Sequence, residues 1–87
     1  MKEVVLQLID SKIVAVLSAL AQSKDVLYLR ECAKIANIPP STTLRILDQL
    51  ASMNLVHIDQ VKHIKLYSFE NNDSARELKS LLRKVKS

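Results

Sequence analysis

The chain has 87 residues, with 13 Lys and Arg against 9 Asp and Glu for a net charge of +4, an apolar fraction of 48% and an aromatic fraction of 3%. That length makes one domain with a modest core, and the aliphatic surplus exceeds what such a core uses, which points to an oligomer interface. One cysteine, Cys32, excludes an internal disulfide framework and suits a reducing cytoplasm, and no apolar run reaches the length of a membrane span.

Lys2, an apolar run and Ala19-Leu-Ala21 imitate a secretory signal, but Glu3 spoils its charged start and Asp10 and Lys12 interrupt the run. Residues 2–9 are ambiguous: Val4, Leu6 and Leu8 alternate as in a strand, yet the segment also extends the following helix backwards, and helix is the preferred reading. Ile13, Val16, Leu17, Leu20 and Ala21 recur at helical spacing, which predicts a helix from Ser11 to about Ala21 with Asp10 or Ser11 as its cap. After the polar connection 22–25, Val26 to Leu29 is short and β-prone, a strand placed to lie beside a later hairpin.

Arg30 to Ala36 reads as a helix, and Asn37, Ile38 and Pro39 as a tight turn. Pro40 suits a first helical position, because its missing amide would have no partner there and its φ is already helical. Pro39, preceding a proline, is pushed to an extended conformation and marks the boundary. A second helix then runs to about Met53, followed by strands Leu55 to Gln60 and His63 to Phe69, with Val61 and Lys62 near the turn. Asp73 caps a last helix, from Ser74 to about Val85, with acidic residues early and Arg83, Lys84 and Lys86 late, as the helix dipole prefers.

The expected fold is mainly α with a small β-hairpin (α+β). It is a winged helix-turn-helix, with a three-helix core, a wing and a C-terminal helix. Residues 1–87 form one domain, with 11–69 as its core. The chain contains no glycine, although such motifs ordinarily need left-handed backbone in the turn and after the second helix. Asn37 and Asn54 stand at both places, and asparagine tolerates that conformation best after glycine.

Ala33 supplies a small residue where the two motif helices cross, and Ile38, Ile46, Leu47 and Leu50 fill the wedge between them. The segment Ala33-Lys-Ile-Ala-Asn-Ile-Pro-Pro-Ser-Thr-Thr-Leu-Arg-Ile-Leu47, with Leu50 and Asn54-Leu-Val56, resembles the DNA-binding domains of IclR-type and MarR-type regulators. Archaeal winged-helix regulators look similar. The resemblance covers about residues 11–69. The chain departs from the pattern at Thr43, where an aliphatic residue is usual, and at Asn37 and Asn54 in place of glycine.

On a helix starting at Pro40, Thr43, Ile46, Leu47 and Leu50 face inward. Ser41, Thr42, Leu44, Arg45, Asp48 and Gln49 are left outward or sideways. Ser41 and Thr42 stand in the first turn, where hydroxyls and free amides hold phosphate, although Ser41 equally suits a plain helix cap. Arg45 carries the planar fork that matches the O6 and N7 edge of guanine, the plain alternative being a solvated arginine. Leu44 can touch a thymine methyl, and Gln49 completes the outward face. Lys62, His63 and Lys65 lie at or near the wing tip, where they would grip the backbone. Tyr67 and Phe69 are assigned to the core, so the expected partner is double-stranded DNA rather than single strands, which need exposed aromatic platforms.

Ala75, Leu78, Leu82 and Val85 form an apolar seam on the last helix, with Leu81 beside it, too short to pair alone; Leu78, Leu81, Leu82 and Val85 are its candidate interface residues. With residues 1–10 of a second copy it could build a homodimer. The alternative is that it folds back on its own domain. A homodimer implies half-sites about one duplex turn apart. The remaining polar residues support no catalysis: Cys32 lacks a second thiol, His57 and His63 lack companion ligands, and no nucleophile–base pair or glycine-rich phosphate loop exists. No cofactor or metal is expected. The leading function is a cytoplasmic, DNA-binding transcriptional regulator. The competing one is a winged helix that binds protein in a transcription, replication or RNA-processing complex, which Asp48 on the outward face and the modest charge keep open.

Overall fold

The computed structural model describes residues 11–22 and 26–86. The expectations for residues 1–10, the cap at Asp10 included, and for 23–25 lie outside the described residues.

The elements are α1 (Ser11–Gln22), β1 (Leu27–Tyr28), α2 (Leu29–Ala36), α3 (Pro40–Ser52), β2 (Val56–Val61), β3 (Ile64–Phe69) and α4 (Asp73–Lys86). The three strands form one antiparallel sheet in the order β1-β3-β2. Leu27 stands opposite Tyr67, and Tyr67 in turn opposite Ile58. These pairs lie on the face turned to the helices. The winged helix-turn-helix arrangement read from the sequence is the observed one.

Two helices end in the same way. At the end of α2, Ile38 N–H donates to Ala33 O (3.0 Å) and Asn37 N–H to Lys34 O (3.2 Å), with Asn37 left-handed at φ 60°, ψ 48°. At the end of α3, Leu55 N–H donates to Leu50 O and Asn54 N–H to Ala51 O, both 3.0 Å, with Asn54 at φ 61°. Each is the paired bonding that satisfies a helix's last carbonyls when one residue turns left-handed. A third left-handed residue, Lys62 (φ 57°), went unforeseen. Val61 pairs with Ile64, so the turn is Lys62–His63, one residue later than expected. Positive φ thereby falls on an unbranched side chain rather than on β-branched Val61.

The core gathers Val16, Leu17 and Leu20 from α1, Cys32 from α2, and Ile46, Leu47 and Leu50 from α3, closed by Val56, Tyr67 and Leu82. Thr43 is wholly buried, and its hydroxyl donates to Pro39 O at 3.0 Å, which removes the penalty of a polar group at an apolar position.

Two expectations for α4 are corrected. The cap is Asn72, not Asp73: Asn72 Oδ1 accepts from Ala75 N–H at 2.8 Å, while Asp73 pairs with Arg76 at 2.6 Å. Asn72 also donates through Nδ2 to Asn54 O (2.8 Å), which ties the start of α4 to the end of α3. The apolar seam folds inward. Leu82 is 2% exposed within its own domain and Leu78 packs against the same core, so Leu82 is not available to a second copy. Leu81 is half-buried, and the side chain of Val85 lies outside the described set. Arg83 fixes this packing by donating from Nε to Ala21 O at 2.9 Å, a cation on the carbonyl end of α1.

Candidate nucleic-acid interface

The helix-turn-helix fixes which side of α3 is free. Thr43, Ile46, Leu47 and Leu50 are buried at helical spacing, which leaves Ser41, Arg45, Asp48 and Gln49 exposed. Pro39 occupies the capping position with no side-chain cap bond, and Ser41 lies inside the helix, so the capping role considered for it is not taken up. Thr42 is partly buried. Leu44 sits sideways, packed in part against the core.

Lys62, His63 and Lys65 are all exposed on the hairpin. An open groove runs between hairpin and helices, lined by Tyr28, Leu29, Arg30, Leu44, His63, Ile64, Lys65 and Tyr67. A second groove under the turn is lined by Arg30, Lys34, Pro39 and Pro40, among others. Arg30 borders both, flanking the first half of α3. Reading the chain alone missed Arg30, Lys34 and Tyr28 as members of this surface. The usable signal was general: in such motifs the first helix crosses the nucleic-acid backbone.

Burial pushes the Cys32 thiol up to about 11, so it is neutral and inert at ordinary pH. Tyr67 is raised too, by burial first and then by the charges of Asp48 and Cys32. Its hydroxyl is buried with no hydrogen-bond partner among the described residues. His57 lies 3.6 Å from Glu70 at the base of the hairpin, away from the wing tip. No group of three or more His, Cys, Asp or Glu among the described residues could hold a metal ion, and no described helix is long and apolar enough to cross a membrane.

The profile of the IclR helix-turn-helix domain matches residues 11–60, from the start of α1 through most of β2. The chain belongs to the IclR helix-turn-helix domain family. Among solved structures, it is similar to the MarR family transcriptional regulator SPO1453 of Silicibacter pomeroyi, at 22% identity and a TM-score of 0.75. That match covers 97% of this chain and 60% of the regulator's length. It is also similar to AF1382 of Archaeoglobus fulgidus, at 14% identity and a TM-score of 0.78, over 94% of this chain and 91% of that one. A third likeness is to human N-acetylserotonin methyltransferase (18% identity, TM-score 0.59), over 70% of this chain and 19% of the enzyme. At these identities the likenesses establish the fold. No curated protein sequence matches the chain. Family and fold together identify residues 11–60 as a helix-turn-helix domain.

Proposed function

We propose that the protein is a regulator of transcription that recognises a specific sequence in double-stranded DNA as a homodimer. In this reading α3 enters the major groove and the hairpin rests on the backbone beside it. The observation that carries the reading is one groove that joins the helix-turn-helix to the hairpin. Arg30 and Leu44 line it from the helices and His63 and Lys65 from the hairpin, and the sequence neighbours Arg45 and Lys62 are exposed.

Arg45 reads a guanine edge in this arrangement, with Gln49 one helical turn further along the same face. Ser41, the partly exposed Thr42 and the uncapped first-turn amides hold a phosphate. The exposed edge of Leu44 is offered to a thymine methyl. Lys62 and Lys65 neutralise the strand passing the wing, and His63 stands between them as a hydrogen-bonding contact to phosphate. Each copy takes one half-site, and the Leu81 edge of α4 and residues 1–10 are candidates for joining the copies.

Selection of bound fragments from random duplex DNA tests the proposal directly. A single enriched, pseudo-palindromic motif is expected. Recovery of unenriched fragments would remove sequence specificity, and an asymmetric motif would remove the dimer. The exposed carboxylate of Asp48 on α3 favours the second reading, a protein-binding winged helix. That reading requires binding to a partner with little salt dependence and no DNA shift at low salt.

A further inference from the structure

β2 is an edge strand. The sheet order β1-β3-β2 gives it β3 on one side and, among the described residues, no strand on the other. His57, Asp59, Gln60 and Val61 are exposed along it, and Ile58 is only partly buried. Edges of this kind are ordinarily blunted by lysine, proline or a bulge. Val56 to Val61 contains neither lysine nor proline, and it pairs with β3 without a break from Val56–Phe69 to Val61–Ile64. Its one carboxylate is Asp59, two residues from the imidazole of His57 on the same sheet face.

We infer that the β2 edge binds the β2 edge of a second copy, antiparallel about a two-fold axis at Ile58. A two-fold perpendicular to the sheet keeps both helical layers on one side, and opposed residues must then share a face. Of the registers that satisfy this, centring on Asp59 sets carboxylate against carboxylate, and centring on His57 sets imidazole against imidazole. Centring on Ile58 sets His57 against the second copy's Asp59 twice over, Val56 against Gln60, and Ile58 against itself. Of these three it alone sets an imidazole N–H donor against a carboxylate acceptor, and it covers the exposed part of Ile58. The edge is self-complementary, as a two-fold contact requires.

One strand pair buries less than the roughly 800 Å² per partner of a stable interface. The association is therefore weak in free solution and takes effect when two copies are concentrated, as on neighbouring DNA half-sites. This deepens the homodimer part of the proposed function, and its test needs no DNA.

Sedimentation equilibrium of the full chain, extended into the high micromolar range, compares four proteins: wild type, Asp59→Lys, His57→Glu and the double variant. Circular dichroism verifies that each is folded. Asp59→Lys leaves the His57–Glu70 contact in place and is the cleaner single change. Each single variant is expected to weaken the dimer about tenfold, since two cross-strand imidazole–carboxylate pairs are lost. The double variant, which sets glutamate against lysine in the same register, restores it. A wild type that stays monomeric overturns the inference. So do single variants that dimerise normally, or a double variant that remains as weak as the singles. DNA affinity of the same four proteins is read separately by fluorescence anisotropy. A chain that dimerises as described yet fails to bind duplex defeats the DNA reading and leaves the edge contact standing.

Discussion

Asn37 and Asn54 hold backbone that would suit glycine, and each completes the same pair of terminal helix bonds. Left-handed backbone costs an ordinary residue roughly 1–2 kcal/mol, less for asparagine. Asn54→Ala should therefore destabilise the fold by about 1 kcal/mol in urea unfolding, and Asn54→Gly should be neutral or better. Equal losses for both would mean that the asparagine side chain, rather than φ, matters there. These positions were legible because an asparagine closing an apolar-periodic helix has few other uses. Lys62 was not, since nothing in a lysine announces positive φ. Arg45 separates two roles on α3. If it reads a base, Arg45→Ala costs about 1–3 kcal/mol on the selected site and relaxes preference at one position. An equal loss on random duplex would reduce it to a phosphate contact. At Tyr67 the expected change runs the other way. Its hydroxyl is buried without a described partner, so Tyr67→Phe should hold or raise stability by up to about 1 kcal/mol.

The wing is the element whose contribution is electrostatic. Lys62→Ala with Lys65→Ala should reduce the slope of log affinity against log salt by about one unit for each lysine, with sequence preference unchanged. An unaltered slope would take the wing off the backbone. Hairpin and helix-turn-helix were both legible as elements, because alternation and helical spacing are local properties of the chain. The boundaries moved where the choice was tertiary. Asn72 rather than Asp73 caps α4, since Asn72 also reaches Asn54 O across 18 positions of sequence. α4 itself was legible as an amphipathic helix, but its apolar stripe does not say which surface it covers. With Leu82 buried and Arg83 bonded to the end of α1, Leu82→Ala should cost about 2–5 kcal/mol. A loss below about 1 kcal/mol would return the seam to solvent or to a partner.

For the molecule as a whole, stability is tied to alkaline pH through its core. The Cys32 thiol is raised from 9.0 to about 11 by burial, and Tyr67 is raised as well. The folded state thus holds these protons more tightly than the unfolded chain. The Cys32 contribution is complete below about pH 9 and is lost as pH rises through about 11, worth at most about 2–3 kcal/mol. Urea midpoints at about pH 7 and pH 10.5 should fall more in the wild type than in Cys32→Ala. A parallel fall would assign the loss to surface charge instead.

The order of helices and strands, the buried side of α3 and the two asparagine turns were determined by the sequence alone. Each follows from periodicity or from the backbone tolerance of one residue. Tertiary structure decided what is not local. It spent the α4 seam inside the domain, brought Arg30 beside the hairpin across more than thirty residues of chain, and left β2 as the open edge of the sheet among the described residues. An apolar stripe or a β-prone run states that it will be covered, but only packing selects what covers it.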